Sequence, residues 1–106
     1  MMTNKTPQTP EVGMGATLRV GSDCYPHTIV EILSTKAIEI QRDHSVMAPE
    51  GNYFGDQVWN ITSDPDGVTE VYTLRRNGKW HLKGQPMTNY GGLRIGNRRR
   101  YEDPHF

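Results

Sequence analysis

Hydrophobic and polar positions alternate with a period of two over much of this 106-residue chain. No stretch of ten or more residues shows a helical period free of Gly or Pro. A period of two sends successive side chains to opposite faces of an extended strand, so the pattern predicts an all-β protein. Residues 16–20, ATLRV, lie among glycines and read as a first short strand. Tyr25-Pro26 opens the run HTIVEIL, where Ile29, Val30, Ile32 and Leu33 predict a well-buried strand with the proline tolerated at its start. The next run, KAIEIQR, sets Ile38 and Ile40 against Glu39 and Gln41, which predicts an antiparallel partner with one wet face. Residues 57–61 return to strand character around Trp59. Ser63-Asp64-Pro65-Asp66-Gly67 then reads as a turn in which Pro presets φ and Gly takes a positive φ. Leu93-Arg94-Ile95 is a short closing strand.

The clearest local signal is residues 68–83, VTEVYTLRRNGKWHLK. Two β-prone runs flank Asn77-Gly78, the dipeptide preferred in a two-residue type I′ turn. Such a turn sets Arg75 opposite Trp80, Leu74 opposite His81, Thr73 opposite Leu82 and Tyr72 opposite Lys83. One face then carries Val71, Thr73, Arg75, Trp80 and Leu82, and the other Tyr72, Leu74, His81 and Lys83. Residues 44–55 and 84–92 are rich in Gly, Pro and Asn and read as irregular loops. The tail GNRRRYEDPHF is expected along the surface or docked by Tyr101 and Phe106. Residues 1–12 read as a disordered N-terminal arm and 13–106 as a single domain. That domain is a small antiparallel barrel of about six or seven short strands.

Composition narrows this picture. A hydrophobic fraction of 34% implies a thin core, and the single cysteine, Cys24, excludes an intrachain disulfide framework and a multi-cysteine zinc site. No apolar run approaches a membrane span and the N-terminus lacks a signal-like apolar region, so an intracellular protein without a membrane partner is expected. The formal charge of zero conceals a segregation. Residues 1–74 hold 4 Lys/Arg and 10 Asp/Glu, a net −6, and residues 75–106 hold 8 and 2, a net +6. A basic end of this kind is either a footprint for an anionic partner or the internal counterpart of the acidic part.

The candidate ligand-binding residues follow from that segregation: Arg75, Lys79, Lys83, Arg94, Arg98, Arg99 and Arg100, interleaved with Trp80, Tyr90 and Tyr101. Arginine forks clasp phosphates, and aromatic rings, Tyr72 among them, offer faces on which bases stack. The alternative is a solvated basic face with Arg75 lying over Trp80 as a structural cation–π pair. Arg98–Arg100 are expected to be largely exposed, the tail being held by its aromatics. The four histidines have no ligand spacing such as HxH or HxxxH. Cys24 and His27 fall on opposite faces of a strand, and Asp64, Asp66 and Glu70 lack the spacing of a calcium loop. No catalytic residue, metal site or cofactor is assigned.

Three segments, VGMGATLRVGSDCYPHTIVEI, YTLRRNGKWHLKG and RIGNRRRYEDPHF, resemble a family of small uncharacterised proteins of tailed bacteriophages and prophages. That family shares patterns close to GDxxYPxTVVEV and a final IGxRRxYxDPxF. The resemblance covers about two-thirds of the chain and implies a phage origin, a host-cytoplasmic setting and a compact Tudor- or KOW-like barrel. It implies no activity. The combined expectation is a non-enzymatic module binding RNA, DNA or a nucleotide through the basic C-terminal face. The alternative is a counter-defence protein that sequesters a nucleotide signal or binds a host protein directly. Oligomeric state is left open.

Overall fold

The computed structural model describes residues 8–88 and 92–105. Within them the protein is all-β: β1 Gly15–Val20, β2 Asp23–Ser34, β3 Ala37–Arg42, β4 His44–Met47, β5 Trp59–Thr62, β6 Thr69–Leu74, β7 Trp80–Leu82 and β8 Gly92–Ile95. Six strands close an antiparallel barrel in the order β1-β2-β3-β6-β7-β8, and β4 with β5 forms a separate two-stranded ribbon. The ribbon raises the described strand count to eight. Its first strand occupies the start of the segment expected to be a loop, because His44, Ser45, Val46 and Met47 pair with Thr62, Ile61, Asn60 and Trp59. Four residues carry too little alternation to reveal a strand whose partner lies a dozen positions on.

The period-two pattern decides which side chains fill the barrel. Ala16, Ile29, Ile38, Ile40, Tyr72, Trp80 and Leu93 form one buried cluster, with Met14, Leu18, Leu74, Leu82 and Ile95 packed against it. Among the described residues the large side chains buried to completion are Ile29, Ile38, Ile40 and Pro26, a thin core. The second half of β2 is not well buried. Register irregularities after Ile29 and Ile32 turn the strand outward, and Ile32 and Leu33 are exposed.

The β6–β7 hairpin departs from its expected register by one residue. Tyr72, Thr73 and Leu74 pair with Leu82, His81 and Trp80. Arg75 N–H donates to Lys79 O (2.9 Å) and Gly78 N–H to Arg75 O (2.9 Å), so the loop has three residues, a type I turn followed by Gly78 at φ 80°. No non-glycine residue has a positive φ, so Asn77 does not supply a type I′ turn; its Oδ1 accepts from Lys79 N–H (3.1 Å). The slip puts Tyr72, Leu74, Trp80 and Leu82 on one inward face, an apolar stripe that the type I′ register splits between two faces. The other turn also closes differently in detail. Gly67 N–H donates to Asp64 O (3.0 Å) and Asp66 N–H to Asp64 Oδ1 (3.0 Å), but Gly67 does not take a positive φ. Glycine is required there because a Cβ would overlap Arg42 O.

Residues 1–7 of the expected arm lie outside the described residues. Glu11 O, at its described end, accepts from Met14 N–H (3.0 Å), and the first domain residues join the barrel: Gly13 N–H donates to Ile29 O (2.8 Å) and Ile29 N–H to Met14 O (2.9 Å).

Candidate functional site

The tail after β8 is the element that places the arginines. It runs as a strap past β1 and along the start of β2, where Thr17 Oγ1 donates to Asn97 O (2.9 Å) and Cys24 and Tyr101 exchange backbone hydrogen bonds (2.8 and 3.0 Å) as an antiparallel bridge. The strap lies so close to Gly15 that a Cβ there would strike Arg98 Cγ. Along the strap Arg98 and Arg99 are exposed and Arg100 is half-buried.

Arg98 and Arg100 also make contacts within the protein, Arg98 while remaining exposed as expected and Arg100 half-buried. Arg98 Nη2 donates to Thr28 Oγ1 (3.0 Å), and Arg98 Nε stands 3.0 Å from Asp43 Oδ2. Asp43 Oδ2 receives no well-aligned hydrogen bond, so that contact is chiefly coulombic; the other oxygen, Oδ1, accepts from Thr28 Oγ1 at 2.6 Å. The Asp43 side chain is 1% exposed and Arg98's 34%, so the strap neutralises a buried carboxylate. Arg100 Nη1 donates to Tyr101 O (2.8 Å), and its guanidinium lies 4.9 Å from the Tyr25 ring centre and 4.8 Å from that of Trp59. Gln57 links the ribbon to the same strap: its Nε2 donates to Glu102 O (2.6 Å) and its Oε1 accepts from Trp59 Nε1 (2.9 Å). The acidic part thus supplies Asp43 as an internal partner for one arginine. Between described residues the ion pairs are Arg98–Asp43 and Arg100–Glu102.

A groove of about 920 Å³ lies beside the strap. On β1, Thr17 and Arg19 alternate with inward Ala16 and Leu18; on β8, Arg94 alternates with inward Leu93 and Ile95, and Thr17 is register partner of Arg94. Arg19 and Arg94 therefore share one outer face. The groove also spans the β7–β8 seam, where strand pairing thins to the single pair Trp80↔Leu93, and there Lys79 enters from the hairpin. Arg99 completes the rim. Four cations from four separate parts of the chain meet in this groove, and no carboxylate lines it among the described residues.

A second, shallower hollow of about 400 Å³ opens between ribbon and strap. Trp59, Ile61 and Tyr101 line it with Arg98–Arg100, and Asp56 is its one carboxylate among the described residues. Arg99 borders both hollows, with its guanidinium 5.9 Å from the Tyr101 ring centre.

Of the ten residues expected at the site, Lys79, Arg94, Arg98, Arg99, Arg100 and Tyr101 stand at these hollows, Arg98 and Arg100 while also paired within the protein. Trp80 reaches the groove wall but is 6% exposed and belongs to the core, as does Tyr72, so neither offers a stacking face. Arg75 does not lie over Trp80: its Nε donates to Thr73 Oγ1 (2.7 Å) and its Nη2 to Leu82 O (2.9 Å), across the outer face of its own hairpin. Lys83 is exposed and lines neither hollow. Tyr90, like Phe106, lies outside the described residues. Sequence reasoning missed Arg19, legible only as an outward residue of β1, and Trp59, whose ribbon it did not foresee.

His27 and Tyr72, away from the groove, are displaced by burial. Desolvation holds His27 below the ordinary histidine value, helped by nearby Arg42, and opposed by the Tyr25 carbonyl beside Nδ1 (3.0 Å) and by Asp43 and Glu70. Burial pushes the Tyr72 phenol up, aided by Glu70. Among the described residues no group of three His, Cys, Asp or Glu side chains could hold a metal ion, and no helix is long and apolar enough to cross a membrane. No protein-family model, no curated protein and no solved structure matches this chain.

Proposed function

We propose that this chain is a phage-encoded, non-enzymatic binding module of the host cytoplasm that holds an anionic partner, a nucleic acid or nucleotide, in the groove beside β1 and β8. The observation that carries this reading is the convergence of Arg19, Lys79, Arg94 and Arg99 on a groove with no carboxylate among its described lining residues. Like charges gathered on one surface repel one another, and a phosphate-bearing ligand relieves that repulsion. The groove volume falls in the usual range of ligand sites, roughly 300–1,000 Å³. Apolar Ile32, Leu74 and Ile95 on its walls supply surface for the uncharged part of such a ligand.

The test is fluorescence anisotropy with mixed-sequence single-stranded RNA and DNA and with nucleoside triphosphates, across a salt series. With three or four phosphates neutralised, the log–log salt slope for single strands is expected at about −2 to −3. Arg94→Glu weakens binding and flattens the slope. Absence of binding to all of these probes at low salt removes the reading.

A further inference from the structure

We infer that the groove and the ribbon–strap hollow form one continuous track, and that its ligand is a single-stranded nucleic acid several nucleotides long, not an isolated nucleotide. The inference rests on the polyanion reading of the groove and names the ligand class within it. Three observations carry it.

First, Arg99 is exposed and lines both hollows. A phosphate on Arg99 stands at the junction, so a strand leaving the groove passes directly into the hollow. Second, accessible aromatic surface and cationic surface are divided between the two. Among the described residues the groove's one aromatic, Trp80, is buried, whereas the hollow is lined by half-buried Trp59 and Tyr101 with Ile61 beside them. Among the described residues a nucleotide confined to the groove would meet charges but no accessible ring face. A strand crossing Arg99 brings its next bases to the aromatics while its phosphates stay with Arg19, Arg94 and Arg99, the pairing of cationic path and stacking platform by which single strands are held. Third, the platform is preorganised. Trp59 is fixed by Gln57 Oε1 (2.9 Å) and by the Arg100 guanidinium 4.8 Å from its ring centre, and Tyr101 by its backbone pairing to Cys24. Rings that are already ordered lose little conformational entropy when a base stacks on them.

Asp56 gives the test its discrimination, because it is exposed and lines the hollow but not the groove. Affinities of the wild type and Asp56→Lys are measured for a nucleoside triphosphate, a dinucleotide and eight-nucleotide oligo-dT and oligo-U, the last two separating DNA from RNA. The eight-mers are expected to bind at least tenfold more tightly than the dinucleotide. Asp56→Lys is expected to tighten eight-mer binding at least threefold and to leave the triphosphate within twofold of wild type. Arg99→Gln is expected to weaken both. If the triphosphate or dinucleotide matches the eight-mers, or if Asp56→Lys moves all ligands alike or none, the track is overturned while the groove reading stands. If no probe binds at all, both fall.

Discussion

The three consecutive arginines of the strap separate by experiment. Arg98→Gln removes the charge facing Asp43 (3.0 Å) and the hydrogen bond to Thr28 (3.0 Å), and leaves a carboxylate whose side chain is 1% exposed with Thr28 Oγ1 as its remaining side-chain donor. Breaking a fully buried ion pair costs about 3–5 kcal/mol. Arg98 is one-third exposed, so water enters part of the vacated space, and about 2–3 kcal/mol is the appropriate loss. For a domain of this size a loss of that order lowers Tm by roughly 10–20 °C. Arg99→Gln, an exposed change, stays within about 0.5 kcal/mol. Thermal melts and urea titrations of the two variants, followed by tryptophan fluorescence, compare them directly. A cycle of Asp43→Asn, Arg98→Gln and the double variant then isolates the pair, with a coupling of at least about 1 kcal/mol expected. Should Arg98→Gln melt within 3 or 4 °C of Arg99→Gln, roughly 0.5 kcal/mol here, the strap is not anchored by this pair and the structural role given to Arg98 is wrong.

Other consequences are simpler to check. Gly78 has φ 80°, so Gly78→Val should destabilise by more than about 1 kcal/mol in a urea titration, and an unchanged midpoint would contradict the turn geometry. Gly67→Ala should also destabilise, through its Cβ against Arg42 O and not through φ; a neutral result would mean that the turn can shift away from β3. The folded state holds His27 below its ordinary value, so below about pH 6.5 the unfolded chain binds more protons than the native one. Stability contributed by neutral His27 is thus complete above that pH and lost as the pH falls toward the depressed folded value. Chemical denaturation between pH 7.5 and 5 should show this slope, reduced in His27→Gln, and an equal slope in both proteins would assign it elsewhere.

The sequence by itself determined the fold class and part of the filling of the barrel, the residues around Ile29, Ile38 and Ile40. Strict alternation around Ile38 and Ile40 and the run at Ile29 specify strands with one inward face, because only a period of two brings those side chains to a common core. It also marked the turns at 63–67 and around Asn77-Gly78, since Asp, Pro, Asn and Gly have conformational preferences that act locally. The tertiary structure alone decided the rest. A shift of one residue between a two-residue and a three-residue loop is a small local difference, settled by burying Tyr72, Leu74, Trp80 and Leu82 together. The fates of Arg98, Arg99 and Arg100 depended on Asp43, 55 positions from Arg98, on Trp59 and on the run of the strap between them. Likewise, Arg19 and Arg94 lie 75 residues apart and share a surface because β8 closes the barrel on β1. Charge counts along a chain carry none of that information, since which charges face one another is fixed by strand order and register, and those exist only once the chain has closed.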